Sequence, residues 1–428
     1  MKIRSVIGAL AFTMVVNGVA MAQSESILVS DKDTLSYKYT PIEAAVSQPS
    51  AQAEVASESI VSDTTTVKKR KNVFRRVIDY FAESSVDKSF EKKMDFTFIL
   101  GPSYSNSTSL SIGAMAAGLY RIDKENRALP PSTVSVFAHV SITGLYRVGI
   151  DGICIFKDDR NRLLYNASFG SQPTYFWGLG YVAATTNQAT SYLSNKYHVE
   201  AIYLHRLFKN AYAGAKAEFT YAYCGGAIKP MVLEYLNGRS TSSAMTGFSL
   251  LLEYDSRDFI PNAYKGVYFS LQGMIRPKGL GSNSHTSWAV KANVAYYQKL
   301  WKDAVLAMDL YGEFNSKDTP WWYYAQMGGR QRMRGYYEGR FSDLNAIMFQ
   351  AELRQRVWRR IGITVWGGAG NAFAAFDRFH WDRTMPNYGI GARWEFKKRV
   401  NIRFDYGFGS KVQGKLMQGF LISINEAF

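Results

Sequence analysis

The sequence predicts an all-β protein: a 16-stranded antiparallel transmembrane β-barrel preceded by a short amino-terminal amphipathic helix. Polar and apolar residues alternate with a period of two from Met94 to the last residue, as in strands with two different faces. Apolar residues make up 47% of the chain, yet its mean hydropathy is -0.18, so polar residues dilute them regularly. The amino terminus carries an export signal.

Composition excludes two other classes of protein. After the leader, no stretch of 18 or more uncharged apolar residues occurs, which excludes a bundle of transmembrane helices. Only two cysteines stand among 428 residues, which excludes a disulfide-stapled scaffold. The net charge is +16, and removal of Lys2 and Arg4 with the leader leaves +14. In an exported protein such a charge indicates anionic lipid or a solvated surface, and we expect no nucleic-acid partner.

The first 93 residues divide into three predicted segments. Residues 1–22 are a signal peptide, with Lys2 and Arg4 before an apolar run and Ala20-Met21-Ala22 before the cleavage point. Residues 23–67 are rich in Ser, Thr, Ala, Glu and Val without a sustained period, which predicts a disordered periplasmic arm.

Residues 68–93 are predicted as a basic amphipathic helix and a linker to the barrel, which occupies 94–428. In the helix, over 68–81, apolar residues recur at helical spacing and six basic residues crowd the other face. Two roles remain open. The helix packs on the barrel or plugs its mouth, or it lies on an anionic membrane surface.

The barrel strands are predicted from the alternation and from the turn residues between them. Eleven candidates precede a long loop at about 317–344 that is rich in Trp, Tyr and Gly, and five follow it. They lie near 94–105, 108–121, 132–143, 146–157, 161–170, 192–206, 210–223, 243–256, 265–277, 286–300, 303–315, 345–358, 361–374, 386–397, 399–409 and 417–428.

The two faces of these strands predict lipid outside and a polar lumen inside. In the last strand, Phe420, Ile422, Ile424 and Phe428 share the apolar face, whereas in the strand near 345 the opposite face carries Glu352. Among β structures, only a closed barrel satisfies every backbone hydrogen-bonding group in lipid. The aromatic runs 175–177 and 321–324 are expected to form an interfacial girdle.

Three stretches resemble the BamA/TamA superfamily of outer-membrane barrels, also called the bacterial surface antigen family. Tyr254-Asp255-Ser256-Arg257-Asp258, with Pro261 and Gly266, is similar to the family's strand motif. Gly328-Gly329 followed by Met333-Arg334-Gly335-Tyr336 resembles its inward-folding loop. Tyr388-Gly389-Ile390-Gly391-Ala392-Arg393-Trp394 and the aromatic carboxyl terminus resemble its closing strands, with Phe420 and Phe428 as the closing-strand signal. The resemblance covers about 94–428, and no POTRA repeat is recognised before it, so we expect a POTRA-less member.

The resemblance implies that Arg334, in the loop motif Arg334-Gly335-Tyr336, lies in the lumen and bonds to acidic residues on the following strands. Glu352 is the expected partner, and its alternation independently points it into the lumen. The second acidic partner of the family is missing, because the sequence reads Trp366-Gly367-Gly368-Ala369-Gly370 at that place. Asp405 or Glu395 is expected to substitute.

Neither an enzyme site nor a metal or cofactor site is predicted. The five histidines have no metal-ligand spacing, and no Gly-x-Ser-x-Gly nucleophile occurs. Cys154 and Cys224 fall on predicted strands that are not neighbours, so we expect both to be unpaired.

The leading hypothesis is a non-enzymatic barrel of the cell outer membrane of a Gram-negative bacterium, with its amino-terminal arm in the periplasm. It assists membrane biogenesis by inserting or translocating a polypeptide or lipid through a weakly paired seam between 96–100 and 420–428. Its partners are outer-membrane lipid and a client polypeptide or assembly partner. Two alternatives remain. One is a passive pore for small solutes, and the other is an outer-membrane lipase or protease that uses the lumen.

Overall fold

The computed structural model describes residues 91–428 except 92, 106–108, 125–128, 130 and 398. The signal peptide, the arm and the basic helix predicted before residue 91 therefore lie outside the described residues. The strands are β1 Asp95–Ser105, β2 Ser109–Tyr120, β3 Ser132–Ser141, β4 Tyr146–Ile155, β5 Asn161–Phe176, β6 Thr190–Phe208, β7 Ala211–Gly225, β8 Ser242–Asp255, β9 Gly266–Arg276, β10 Ser287–Lys299, β11 Ala304–Asn315, β12 Ala325–Met327, β13 Phe341–Asp343, β14 Asn345–Trp358, β15 Ile361–Phe373, β16 Met385–Lys397, β17 Val400–Val412 and β18 Lys415–Ile424. Two short helices are α1 Gly180–Thr186 and α2 Pro230–Leu236.

Sixteen of these strands form one antiparallel barrel sheet in sequence order, and β12 and β13 form a separate hairpin within the long loop between β11 and β14. Strands β11 and β14 pair directly across that loop, from Ala304 opposite Gln355 to Phe314 opposite Asn345. The prediction of a 16-stranded antiparallel barrel, with 11 strands before the loop and five after it, is confirmed.

Among the described residues, the two ends of the sheet, β1 and β18, pair at one register position, Tyr104 opposite Ile422. In contrast, β1 pairs with β2 along its whole length, from Asp95 opposite Leu119 to Ser105 opposite Ser109. The junction between β1 and β18 is called the seam below.

Alternation divides the side chains as predicted. Outward residues such as Phe98 and Leu250 are 66% and 74% exposed, which in water would be unfavourable and in lipid is required. Charged residues such as Glu352 and Asp405 point inward and are 0% and 1% exposed. The apolar surface therefore lies outside and the polar surface inside, the reverse of a soluble protein.

The two ends of the barrel differ. One end, the long-loop end, carries the segments between β5 and β6, β7 and β8, β9 and β10, β11 and β14, and β15 and β16. The other, the short-turn end, carries the start of β1 and the end of β18. No helix among the described residues is long and apolar enough to cross a membrane.

Two predictions of detail are wrong. Strand β5 continues to Phe176 instead of ending near 170, because β6 pairs with it up to Thr190. Phe176, Trp177, Trp321 and Tyr324 do not form an interfacial girdle, since they are at most 9% exposed and most of them pack together in a cluster with α2 at the long-loop end. Of the two aromatic runs, Tyr175 is the residue that is mostly exposed, at 55%.

Candidate functional site

The long loop between β11 and β14 folds into the lumen on a cluster of small and flexible side chains. Met327 and Met333 of the loop are buried with Met348 of β14. A Cβ at Gly370 would come within 2.9 Å of the Met327 sulfur and 3.0 Å of the Met333 sulfur. The glycine on β15 therefore gives the loop room to lie against the barrel wall.

Arg334 sits at the inner end of this loop and holds two carboxylates. Its Nη2 donates to Glu352 Oε2 at 2.5 Å and its Nη1 donates to Asp405 Oδ2 at 2.7 Å. The guanidinium also lies 3.7 Å from the centroid of the Trp366 ring. Asn387 donates to the Arg334 carbonyl oxygen, so the backbone is held as well as the side chain.

The structure thus brings Arg334 together with Glu352, the partner that the resemblance implied. Asp405 on β17 occupies the role left vacant by Gly368, as one of the two expected substitutes. Glu395 does not take this role, since it lies near Arg356 toward the short-turn end. Asp405 lies on β17, two strands from Gly368 on β15, and still bonds to Arg334. The guanidinium can do this because its two terminal nitrogens donate in different directions, one to Glu352 and one to Asp405.

Further arginines complete an ion network around these two carboxylates. Arg354 Nε donates to Glu352 Oε1 at 2.7 Å, and Arg393 Nη1 donates to Asp405 Oδ1 at 2.6 Å. Arg403 Nη1 lies 3.6 Å from Asp405 Oδ2. Buried charges of this kind persist only when they are paired, so removal of one member leaves the others uncompensated.

Gly335 and Tyr336 fix the loop against β17. Gly335 has φ 108°, and a Cβ there would lie 2.7 Å from the backbone carbon of Gly407. Tyr336 donates its hydroxyl to the Pro386 carbonyl oxygen at 2.7 Å and accepts from the Ser410 amide at 2.7 Å. Burial raises the pKa of this hydroxyl, which keeps it protonated as a donor.

A second loop arginine was missed by sequence reasoning. Arg332 Nε donates to Asp309 Oδ2 at 2.6 Å and its Nη2 donates to Asp309 Oδ1 at 3.1 Å. Asp309 shares the inward face of β11 with Tyr311, whose ring lies 4.3 Å from the Arg332 guanidinium carbon. The alternation of β11 was the signal that could have identified this pair.

The strand motif at the β8–β9 turn lies at the short-turn end, away from Arg334. Arg257 donates to Asp255 through Nε at 3.1 Å and Nη2 at 3.0 Å, while Tyr254 faces outward and is 37% exposed. Asp258 accepts from the amide of Tyr264 at 2.9 Å. The motif therefore stabilises the β8–β9 turn in which it lies.

The same turn also reaches across the barrel mouth. Arg399, between β16 and β17, donates through Nη2 to Asp258 Oδ2 at 2.9 Å and to the Asn262 carbonyl oxygen at 2.6 Å. Its guanidinium carbon lies 4.2 Å from the Tyr264 ring centroid. Strands β8 and β17 lie on opposite sides of the barrel, so this clip carries the turn across the mouth.

The carboxyl-terminal tail, residues 425–428, enters the lumen at this same end. The prediction that Phe428 ends the last strand on the lipid face is wrong, because β18 ends at Ile424 and Asn425 turns the chain with φ 62°. Glu426 accepts from Arg393 Nε at 2.7 Å and from Asn401 Nδ2 at 2.6 Å. Phe428 packs near Tyr297, with ring centroids 6.3 Å apart, and its carbonyl oxygen accepts from Arg354. Phe420, the other closing-strand residue, does face outward and is 39% exposed.

The tail turns away from the seam. If the register of Tyr104 and Ile422 continued, Phe428 would lie opposite Phe98 on β1. Asn425 turns the chain inward before that point, and among the described residues Tyr104 and Ile422 form the one register pair between β1 and β18. The predicted seam at 96–100 and 420–428 is therefore corrected, among the described residues, to one register pair, Tyr104 with Ile422, beside which the ring centroids of Tyr104 and Phe420 lie 6.3 Å apart.

Within the part of the chain that the structure describes, no group of three or more His, Cys, Asp or Glu could hold a metal ion. Cys154 and Cys224 are both free thiols, as expected from their positions on separate strands.

The comparisons with known proteins agree with this geometry. The Omp85 superfamily domain matches residues 155–428. The fold is similar to BamA from Haemophilus ducreyi lacking POTRA domains 1-3, with 13% identity, a TM-score of 0.57, and coverage of 78% of this chain and 70% of that one. It is also similar to CdiB from Escherichia coli, with 11% identity, a TM-score of 0.50, and coverage of 77% and 62%. CdiB from Acinetobacter baumannii matches with 14% identity, a TM-score of 0.49, and coverage of 77% and 60%. This chain thus spans about three fifths of the two CdiB chains. No curated protein sequence matches it.

The inverted faces and the inward loop define a transmembrane β-barrel with a loop folded into its lumen. The chain belongs to the Omp85 superfamily.

Proposed function

We propose that this barrel assists outer-membrane biogenesis by inserting or translocating a client polypeptide or lipid through the seam between β1 and β18. The observation that carries the proposal is that one register position joins these strands in the part of the chain that the structure describes, whereas β1 and β2 pair over eleven positions. Exposed strand edges bind other strands readily, because their amide and carbonyl groups lack partners. In this mechanism the client adds a strand to the sheet at the junction of β1 and β18.

The occupied lumen supports a lateral route over a central one. The long loop lies in the lumen on Arg334, and the β8–β9 turn crosses the short-turn mouth on Arg399. The tail adds Glu426 and Phe428 at that mouth. A solute would have to displace all three to pass, which disfavours the alternative of a passive pore.

The loop supplies the control in this mechanism. Arg334 ties the loop to β14 through Glu352 and to β17 through Asp405, next to the closing strand β18. Opening at the seam that moved β17 would stretch the ion pair to Asp405. The ion network therefore resists opening until the loop is displaced.

A disulfide across the seam tests the proposal. In a background with Cys154 and Cys224 replaced by serine, Tyr104→Cys with Ile422→Cys locks the one paired position. A matched control, Ala116→Cys with Val136→Cys, locks β2 to β3, two strands that are already paired along the length of β3.

The assay measures assisted folding: the barrel in lipid vesicles should speed the folding of a small urea-unfolded β-barrel. Oxidation of the seam pair should abolish this acceleration, reduction should restore it, and oxidation of the control pair should leave it unchanged. Equal acceleration with the seam oxidised would sink the proposal.

Conductance measured in black-lipid membranes distinguishes this mechanism from the alternative of a passive pore. Stable conductance steps from the unaltered protein would favour the passive pore, whereas the occupied lumen predicts low and irregular current.

A further inference from the structure

The segment between β15 and β16 folds back onto the outside of the barrel. On β15 the outward face is marked by Ile361, Ile363 and Val365, each more than two fifths exposed. Phe373 continues this face at the long-loop end but is only 3% exposed, because the following segment covers it. The Phe379 ring lies over it with centroids 5.2 Å apart.

Polar and aromatic contacts fix the segment in this position. Asn371, on the same face of β15, donates through Nδ2 to the His380 carbonyl oxygen and to Thr384 Oγ1, each at 2.9 Å. Phe376 stacks on Phe314, which lies on the outward face of β11, with centroids 5.4 Å apart and ring planes at 27°. The segment is therefore tied to the outward faces of β11 and β15, and the guanidinium carbon of Arg383, near its end, lies 5.6 Å from the ring centroid of Tyr181 in α1.

Two successive turns in this segment repeat one pattern, an aromatic residue followed by Asp and Arg. They are Phe376–Arg378 and Trp381–Arg383, each a single 3-10 turn. The repeat presents Phe376 and Trp381 outward, 67% and 80% exposed. Such exposure is costly for two large aromatic rings in water.

The remaining exposed tryptophans show where the membrane boundaries fall. Trp288, at the long-loop end of β10, is 51% exposed, and Trp301 and Trp358 at the short-turn end are 55% and 60% exposed. Tryptophan favours the headgroup boundary, where its ring is in the apolar phase and its N–H meets polar groups. Trp381 and Trp288 thus both lie exposed at the long-loop end.

We propose that the segment from Phe376 to Arg383 is a membrane anchor that inserts Phe376 and Trp381 at the headgroup boundary of the leaflet on the long-loop side. The partner is the lipid surface itself. Asp377, Arg378 and Asp382 are exposed in the same segment, and with Arg383 its charges balance, so the two rings and not ionic attraction carry the insertion. The segment joins β15 to β16, close to the closing strands β17 and β18, so the anchor holds that wall of the barrel in the bilayer. This inference does not depend on the proposed function.

Fluorescence quenching tests the anchor in vesicles of zwitterionic and anionic phospholipid. The fluorescence of Trp381 is obtained by subtracting the emission spectrum of Trp381→Phe from that of the unaltered protein. Lipid brominated near the headgroup should remove most of this difference signal, and iodide in the aqueous phase should leave it nearly unchanged. Quenching by iodide, or by neither agent, would overturn the proposal, because the ring would then lie in water or within protein.

Two further variants check that the quenching reports the position of this segment. Trp321→Phe is the matched control: that ring is 6% exposed inside the long-loop end, so its difference signal should respond to neither quencher. Trp381→Phe with Phe376→Trp moves the probe to the other turn, where brominated lipid should again quench it. Heat-modified migration on gels identifies any variant that does not fold. If Trp381→Phe does not fold, the reverse comparison of Phe376→Trp with the unaltered protein reports the same boundary.

Discussion

Glu426 Oε2 accepts a hydrogen bond from Arg393 Nε at 2.7 Å, inside the barrel and close to the end of the chain. Arg393 also donates to Asp405, and Asp405 accepts from Arg334 of the long loop. The tail and the loop therefore belong to one ion network. A change at either one reaches the other through two carboxylates and one guanidinium.

Replacing Glu426 by glutamine should free the tail. The variant loses the charge that holds the tail to Arg393, so Phe428 should become accessible to carboxypeptidase, and its release from the folded barrel should be faster than from the unaltered protein. Mass spectrometry of the digested barrel measures this. Glu395→Gln removes a carboxylate at the same end of the barrel without touching the tail, and it should digest at the unaltered rate. Equal digestion of all three proteins would contradict tail docking through Glu426.

Replacing Arg334 by alanine should destabilise the barrel by about 3–5 kcal/mol, because Glu352 and Asp405 lose a shared buried partner. Arg334→Lys should recover only part of this loss, since one ammonium cannot reproduce two separate donors and the contact with Trp366. Urea unfolding in detergent, followed by heat-modified gel migration, measures the change. Arg359→Lys, in the exposed β14–β15 turn, is the control and should be neutral. Full recovery by lysine would show that only the charge matters.

Replacing Gly407 by alanine should displace the long loop. A Cβ at this position would overlap the Arg334 carbonyl group, and neither backbone can yield because both belong to held segments. Limited proteolysis within 328–340 should rise sharply in Gly407→Ala. Gly273→Ala on β9 is the control, since nothing lies within 4 Å of the added Cβ. Protection equal to that of the unaltered protein would argue against close packing of the loop on β17.

Replacing Arg399 by alanine should open the short-turn mouth. The variant loses the bonds to Asp258 and Asn262 that carry the β8–β9 turn across the lumen. Conductance events in planar bilayers should become more frequent than for the unaltered protein. Arg359→Ala, in a neighbouring turn, should not change them. An unchanged record for Arg399→Ala would mean that the turn stays in place without its clip.

Much of this architecture is local in the sequence. Strand alternation is a property of neighbouring residues, and it predicted the number of strands, the lipid-facing side and the inward direction of Glu352. The long loop was identified because it interrupts the alternation with Gly, Trp and Tyr. The inward position of Arg334 came from the resemblance of its motif and not from alternation.

Other features depend on positions that are far apart in the chain. Asp405 could be offered as a partner of Arg334 but not chosen over Glu395, because the choice depends on the registers of β15, β16 and β17 together. The pair of Arg332 and Asp309 and the clip between Arg399 and Asp258 join strands across the barrel, where no periodicity relates them.

Phe428 shows most clearly what strand alternation cannot predict. Its alternation with Phe420 and Ile422 predicted a lipid-facing residue, as local pattern alone must. In the folded barrel Arg393 and Arg354 offer a buried anchor to Glu426 and the Phe428 carbonyl, and these contacts turn the tail inward against its pattern. The sequence alone thus determined which face each strand residue occupies. The tertiary structure decided where the pattern ends, because ion pairs between distant strands outweigh the preference of a few terminal residues.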